Sequence, residues 1–200
     1  MDEQESLAAA VRTINDHVRR VRHDAAGLAE ARRLVDEASA LLSGDLSNGP
    51  FMQAGLDGEA SEPSSLGRNR GSEIFPYSPI IGRRNPISSG VDFWFEGDTT
   101  LGSLHLGATH NGPPDMVHGG MIALVMDELL GVTAVRAGLG GFTGTLSVRY
   151  QAPTPIRTDL DLWSEIDRVE GRKVFVVGEI RNGDVATASA EGIFIRAAGQ

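Results

Sequence analysis

The chain has no cysteine, a single lysine, few aromatic residues and no long apolar run. Without cysteine there can be no disulfide frame, no thiol nucleophile and no thiolate-held zinc, and the chain is compatible with a reducing compartment. Apart from Lys173 every basic residue is arginine, which reads as a composition bias rather than a phosphate-binding signature. Positive charge is also scarce overall: eighteen basic residues face twenty-seven acidic ones, for a net charge of −9. That balance argues against a nucleic-acid or anionic-membrane partner, which would call for a basic field. No stretch reaches the roughly 18 apolar residues of a membrane span, and the N-terminus lacks the apolar core of a secretion signal, so a cytoplasmic protein is expected. Two hundred residues are enough for one ordinary domain with an appendage.

The pattern divides the chain into three. Residues 1–43 carry Leu7, Val11, Ile14, Val18, Val21, Ala25, Leu28 and Val35 at three- to four-residue spacing with charges between, which predicts an amphipathic helix or helical hairpin that Gly27 can interrupt. Residues 44–90 are rich in Gly, Pro, Ser and Asn and read as a long connection over the surface, either partly disordered or packed as a flap. Residues 91–200 alternate between strand and turn patterns around one helix. Strands are expected at 91–95, 101–106, 143–151, 156–169, 173–181 and 185–195, with Asn182-Gly183 as the strongest hairpin signal. The helix is expected over 118–136. One helix and about six strands, four of them in consecutive hairpin order after it, make an α+β fold in which an antiparallel sheet curls around the helix. Its unpaired edge makes pairing of two copies a reasonable expectation.

The chemistry concentrates at Asn111-Gly-Pro-Pro-Asp-Met-Val-His118-Gly119-Gly120 and the helix that follows. Gly112-Pro113-Pro114 sets a rigid turn, and the glycines open a helix that is apolar on every side except at Asp127 and Glu128. A carboxylate inside such a helix is costly unless it is used or paired, and Arg136 or Arg149 could pair with Asp127 for structure alone. Gly120 and Asp127 return to the same helical face after about two turns, so free amides of the helix start and the Asp127 carboxylate are expected to line one cleft. Glu128 points about 100° away and is read as a solvent or interface contact. His105, His110 and His118 lack the acidic support and spacing of a metal site, and none is expected. For His118 the expected task is to fix the turn through a ring hydrogen bond.

These residues resemble a known family, the hotdog-fold acyl-CoA thioesterases of the 4-hydroxybenzoyl-CoA and phenylacetate-pathway type, and within it the thioesterase superfamily member group. The resemblance rests on Val117-His118-Gly119-Gly120 with Ala123 and Asp127, on Thr143 with Leu146, Val148 and Tyr150-Gln-Ala-Pro153, and on Asp167-Arg-Val-Glu-Gly-Arg-Lys173. It covers about residues 91–196. It implies a hotdog fold, a homodimer or dimer of dimers with active sites between protomers, and hydrolysis of an acyl-CoA thioester with no cofactor beyond the coenzyme A of the substrate. In that pattern Asp127 acts as general base or nucleophile, and Thr143, of the same or of the partner protomer, holds the attacking water. Gly119 and Gly120, with His118, form the oxyanion site. Arg149, Gln151, Arg172 and Lys173 contact coenzyme A, although Gln151 stands where a basic residue is common. A hydratase is disfavoured by the spacing of His118 and Asp127. A non-catalytic acyl-CoA binding or regulatory module is the alternative from another class.

Overall fold

Asp2 starts the first helix by accepting the Glu5 amide, and α1 runs Glu3–Arg20. The computed structural model describes residues 2–22, 24–55 and 69–197. A second helix, α2, spans Ala25–Leu42. The break between them falls before Gly27 rather than at it, because Asp24 caps the new helix through the Ala26 amide. Gly27 makes that cap possible: a Cβ there would lie 2.7 Å from an Asp24 carboxylate oxygen. α1 docks on the rest of the chain through buried Ala8 and through Arg12, which donates to the Asn85 carbonyl at 2.8 Å. α2 buries none of its residues.

Residues 69–90 do more than cross the surface. They form a one-turn helix α3 at Gly71–Ile74 and then a series of turns that sends Ile80 and Ile81 into the main core beside Phe93 and Leu104. Part of the expected connection, residues 56–68, lies outside the described residues. Ile80 is fully buried, so Ile80→Ala should cost about 2–5 kcal/mol in urea unfolding. A loss below about 0.5 kcal/mol, the size of an ordinary surface substitution, would mean that this segment is only a cover.

Six strands follow: β1 Asp92–Glu96, β2 Thr99–Leu104, β3 Phe142–Tyr150, β4 Leu160–Glu170, β5 Lys173–Asn182 and β6 Val185–Ile195. Gly97, Gly171 and Gly183 supply the positive φ that the three tight hairpins need. Between β2 and β3 runs α4, Gly119–Arg136, which is wrapped over most of its apolar circumference: Val125, Met126, Leu129 and Leu130 are fully buried, whereas Leu124 is 42% exposed. All neighbouring strands are antiparallel, in the order β1-β2-β4-β5-β6-β3. The α+β arrangement of a sheet curved around one central helix is therefore present.

The strand order departs from the sequence reading in one respect. β3 does not make a hairpin with β4; it crosses the end of the sheet and pairs with β6, so it becomes an edge. Tight glycine hairpins exist only at β1–β2, β4–β5 and β5–β6, whereas the nine residues between Tyr150 and Leu160 are irregular and include a positive φ at Arg157. β4 consequently begins at Leu160 and not at Ile156. The free edge of β3 is exposed almost throughout, with Phe142 at 82% and Tyr150 at 54%.

Candidate active site

The turn before α4 is built as its prolines suggest. Gly112 donates to the Met116 carbonyl at 2.9 Å, Met116 to that of Pro113 at 3.0 Å, and Asp115 takes a positive φ of 58°. This delivers His118 to the N-cap of α4, where its Nδ1 accepts the Gly120 amide at 3.0 Å. Nδ1 as acceptor means a neutral ring with its hydrogen on Nε2. The Gly120 N–H is thus occupied. The Gly119 N–H has no acceptor among the described residues, and Tyr150 of β3 fixes the next peptide, Gly119–Gly120, by donating its hydroxyl to the Gly119 carbonyl at 2.9 Å.

Two turns further along, Asp127 accepts a hydrogen bond from the Thr143 hydroxyl of the same chain at 3.0 Å. Thr143 is aimed by a bulge: the pairing of β3 with β6 slips between Thr143 and Thr145, leaving Gly144 as the extra residue. A Cβ at Gly144 would stand 2.9 Å from the Ile195 side chain and 3.2 Å from the Ile193 carbonyl, so the bulge closes only around glycine. No ion pair joins Asp127 to Arg136 or Arg149 among the described residues. Arg136 instead stacks on Phe95, 5.2 Å from its ring centre.

Asp127 and Thr143 open into a cavity of about 170 Å³, walled also by Glu128, Gln53, Phe75 and Phe194. Glu128 corrects the sequence reading. It is not a solvent contact, because the 75–81 segment folds over its side of the helix and Ser78 donates to its Oε1 at 2.5 Å. Loss of hydration pushes the Glu128 carboxyl up to about 7; the Ser78 bond opposes this rise and the Asp127 charge adds to it.

The helix start does not share this cavity. Facing the same side is a matter of angle, but Gly119 and Asp127 are eight residues apart in α4, which at about 1.5 Å per residue is about 12 Å. The donor must reach the carbonyl oxygen and the base the attacking water, each at about 3 Å, a span shorter than this rise, so in one chain the two groups are poorly placed to serve the same carbonyl.

The residues expected at coenzyme A divide the same way. Arg149 and Gln151 lie at the Tyr150 end of β3. Arg172 and Lys173 lie at the other end, where Lys173 is in register with Ile195 and Ile195 with Phe142. Seven residues of strand separate the two ends, about 23 Å. Arg172 also donates its Nε to the Arg196 carbonyl at 3.0 Å, which holds the turn against the chain end. The histidines go three ways: His105 pairs with Asp159 at 2.6 Å, His110 contacts the Thr109 hydroxyl at 3.0 Å, and His118 caps α4.

Tyr150 and Ser78 are positioning residues that the sequence reading did not single out as such. Tyr150 stood inside a motif, so a signal existed. Ser78 stood in Pro76-Tyr-Ser-Pro79, where the prolines announce only a turn.

A six-stranded antiparallel sheet curled around one helix is the hotdog arrangement. Residues 115–189 match the model of the Thioesterase superfamily. Acyl-coenzyme A thioesterase THEM4 of Xenopus laevis is 37% identical over 42% of this chain and 39% of its own length. Acyl-coenzyme A thioesterase THEM5 of Homo sapiens is 32% identical over 45% of this chain and 37% of its own. The chain thus spans about two fifths of the length of these curated relatives. A solved thioesterase superfamily protein is 27% identical with a TM-score of 0.80, over 98% of this chain and 91% of that one, so this likeness extends through α1 and α2. No helix among the described residues is long and apolar enough to cross a membrane.

Proposed function

We propose that the protein is an acyl-CoA thioesterase in which Asp127 activates water, or attacks directly, and the Gly119 amide at the start of α4 polarises the thioester carbonyl. The observation that carries this reading is the Asp127–Thr143 contact at the mouth of a cavity. A hydroxyl that donates to one carboxylate oxygen fixes its orientation and leaves the other oxygen to take a proton from water. The names of the relatives support the acyl-CoA class. Thioester hydrolysis also needs a donor for the developing oxyanion, and a helix N-terminus with an unpaired amide supplies one.

The reading includes a homodimer, because the rise of about 12 Å along α4 between Gly119 and Asp127 must be bridged. The free edge of β3 offers the means. If two β3 strands pair antiparallel about a two-fold axis near Leu146, residue 143 of one copy lies near residue 149 of the other. Asp127 and Thr143 of one protomer then meet His118, Gly119 and Tyr150 of its partner. The same operation brings Arg172 and Lys173 of one copy to the end of the joint sheet that holds Arg149 and Gln151 of the other, a cationic flank for the phosphates of coenzyme A.

The direct test is thiol release from short, medium, long and aromatic acyl-CoAs, with sedimentation of the same sample. Release by a dimer is expected. Binding without release would transfer the protein to the non-catalytic acyl-CoA module, and a monomer with full activity would remove the shared site.

A further inference from the structure

We infer that Glu128 is a second acid–base residue of this cavity, holding the proton that the sulfur takes as it leaves the acyl carbon. The inference rests on the thioesterase reading above. Its basis is the way Ser78 holds the side chain. The Ser78 hydroxyl is fully buried and accepts the amides of Ile80 at 3.0 Å and Ile81 at 3.2 Å. With both acceptor sites filled, its single hydrogen has to be donated, and Glu128 Oε1 receives it at 2.5 Å. A proton on the Glu128 carboxyl therefore sits on Oε2, which takes no hydrogen bond from the described residues. The cavity that Glu128 lines is the one that holds Asp127 and Thr143.

The surroundings set which form is present. From its own helix Glu128 faces Asp127. From residues 44–90 it faces Gln53, Phe75 and Ser78, from β3 Thr143, and from β6 Phe194. Asp127 is the only charged member of this set. Lost hydration and one like charge both favour the neutral acid, so Glu128 carries a proton at a pH where an ordinary carboxyl has lost it. The two carboxyls then divide the work. Asp127 takes a proton from water as the water oxygen bonds to the acyl carbon, the C–S bond breaks, and the sulfur takes the Oε2 proton of Glu128. The products are the free acid and the thiol. The proton on Asp127 leaves to solvent, and Glu128 regains one from solvent.

The test compares two thioesters of the same acyl group, one of coenzyme A and one of a strongly acidic aryl thiol that leaves readily as its anion. Glu128→Gln is neutral like the protonated acid and keeps an acceptor for Ser78, but it has no proton to give. Its kcat should fall about tenfold or more on the coenzyme A thioester and much less on the aryl thioester. An acid must be protonated to act, so wild-type kcat/KM on the coenzyme A thioester should decline as pH rises through about 7. That decline should be absent in Glu128→Gln. Ser78→Ala removes the bond that favours the ionised form, so it should move the decline to higher pH. Equal losses on both thioesters, or an unchanged decline in Glu128→Gln, would falsify the assignment. Absence of thiol release by wild type from either substrate would instead sink the thioesterase reading, and this inference with it.

Discussion

Asp127→Asn should lower kcat for acyl-CoA hydrolysis by about 10²–10⁴-fold, the usual worth of a positioned base, with KM and thermal unfolding little changed. Asparagine keeps the shape and still offers an oxygen to Thr143, so the hydroxyl that donates at 3.0 Å stays partnered. What is lost is the capacity to take a proton or to form an anhydride with the acyl group. A rapid-quench measurement on wild type tests the nucleophilic route: acylated protein trapped together with a burst of thiol before steady state indicates acyl-enzyme. If the Asn variant turned over at the wild-type rate, the carboxylate would have no part in the chemistry.

A second substitution reaches the oxyanion donor without disturbing the fold. Gly119 is the first residue of α4 and its N–H is unpaired, the helical position at which proline is best tolerated. His118 has φ −62° and ψ 133°, the extended conformation that a following proline requires. Gly119→Pro therefore removes the N–H within an allowed backbone, with the ring Cδ in place of the hydrogen and the Cβ in ordinary contact with Tyr150 at 3.6 Å. It should reduce kcat by about 10²–10³-fold.

Combining the two variants tests whether the site is shared. If each site takes its amide from one copy and its carboxylate from the other, a mixed dimer of Gly119→Pro and Asp127→Asn has one intact site and one doubly altered site. Random mixing makes half of the dimers mixed, so refolding equal amounts together should restore about a quarter of wild-type activity. Sites confined to single chains would show no recovery.

The parts of this architecture that were legible in the sequence are those set by local pattern. α4 announces itself by an apolar circumference interrupted at two positions, and β5–β6 by Asn182-Gly183. The position of β3 was not legible. A strand that crosses to the far edge has the same local chemistry as one that folds back on its neighbour, and only the absence of a tight turn after Tyr150 distinguishes them. The shared face of Gly120 and Asp127 misled because a helical wheel records angle and discards rise; groups aligned in projection lie about 10 Å apart in space. Glu128 was hidden for another reason. Its direction is fixed by the helix, but what waits there is Ser78, fifty residues earlier in the chain.

α1 grips the turns around Ser78 at several points. Arg84 pairs with Asp2 at 2.6 Å, Tyr77 donates to Gln4 at 3.1 Å, and Arg12 holds the carbonyls of Arg83 and Asn85. Those turns in turn hold the acid of the cavity. A shortened version cut at residue 90, where the sequence pattern invites the knife, would keep every strand and every motif of the superfamily match. It would nonetheless discard Ile80 and Ile81 from the core and release Glu128 into water, so its pH behaviour would report on the excision and not on the native protein.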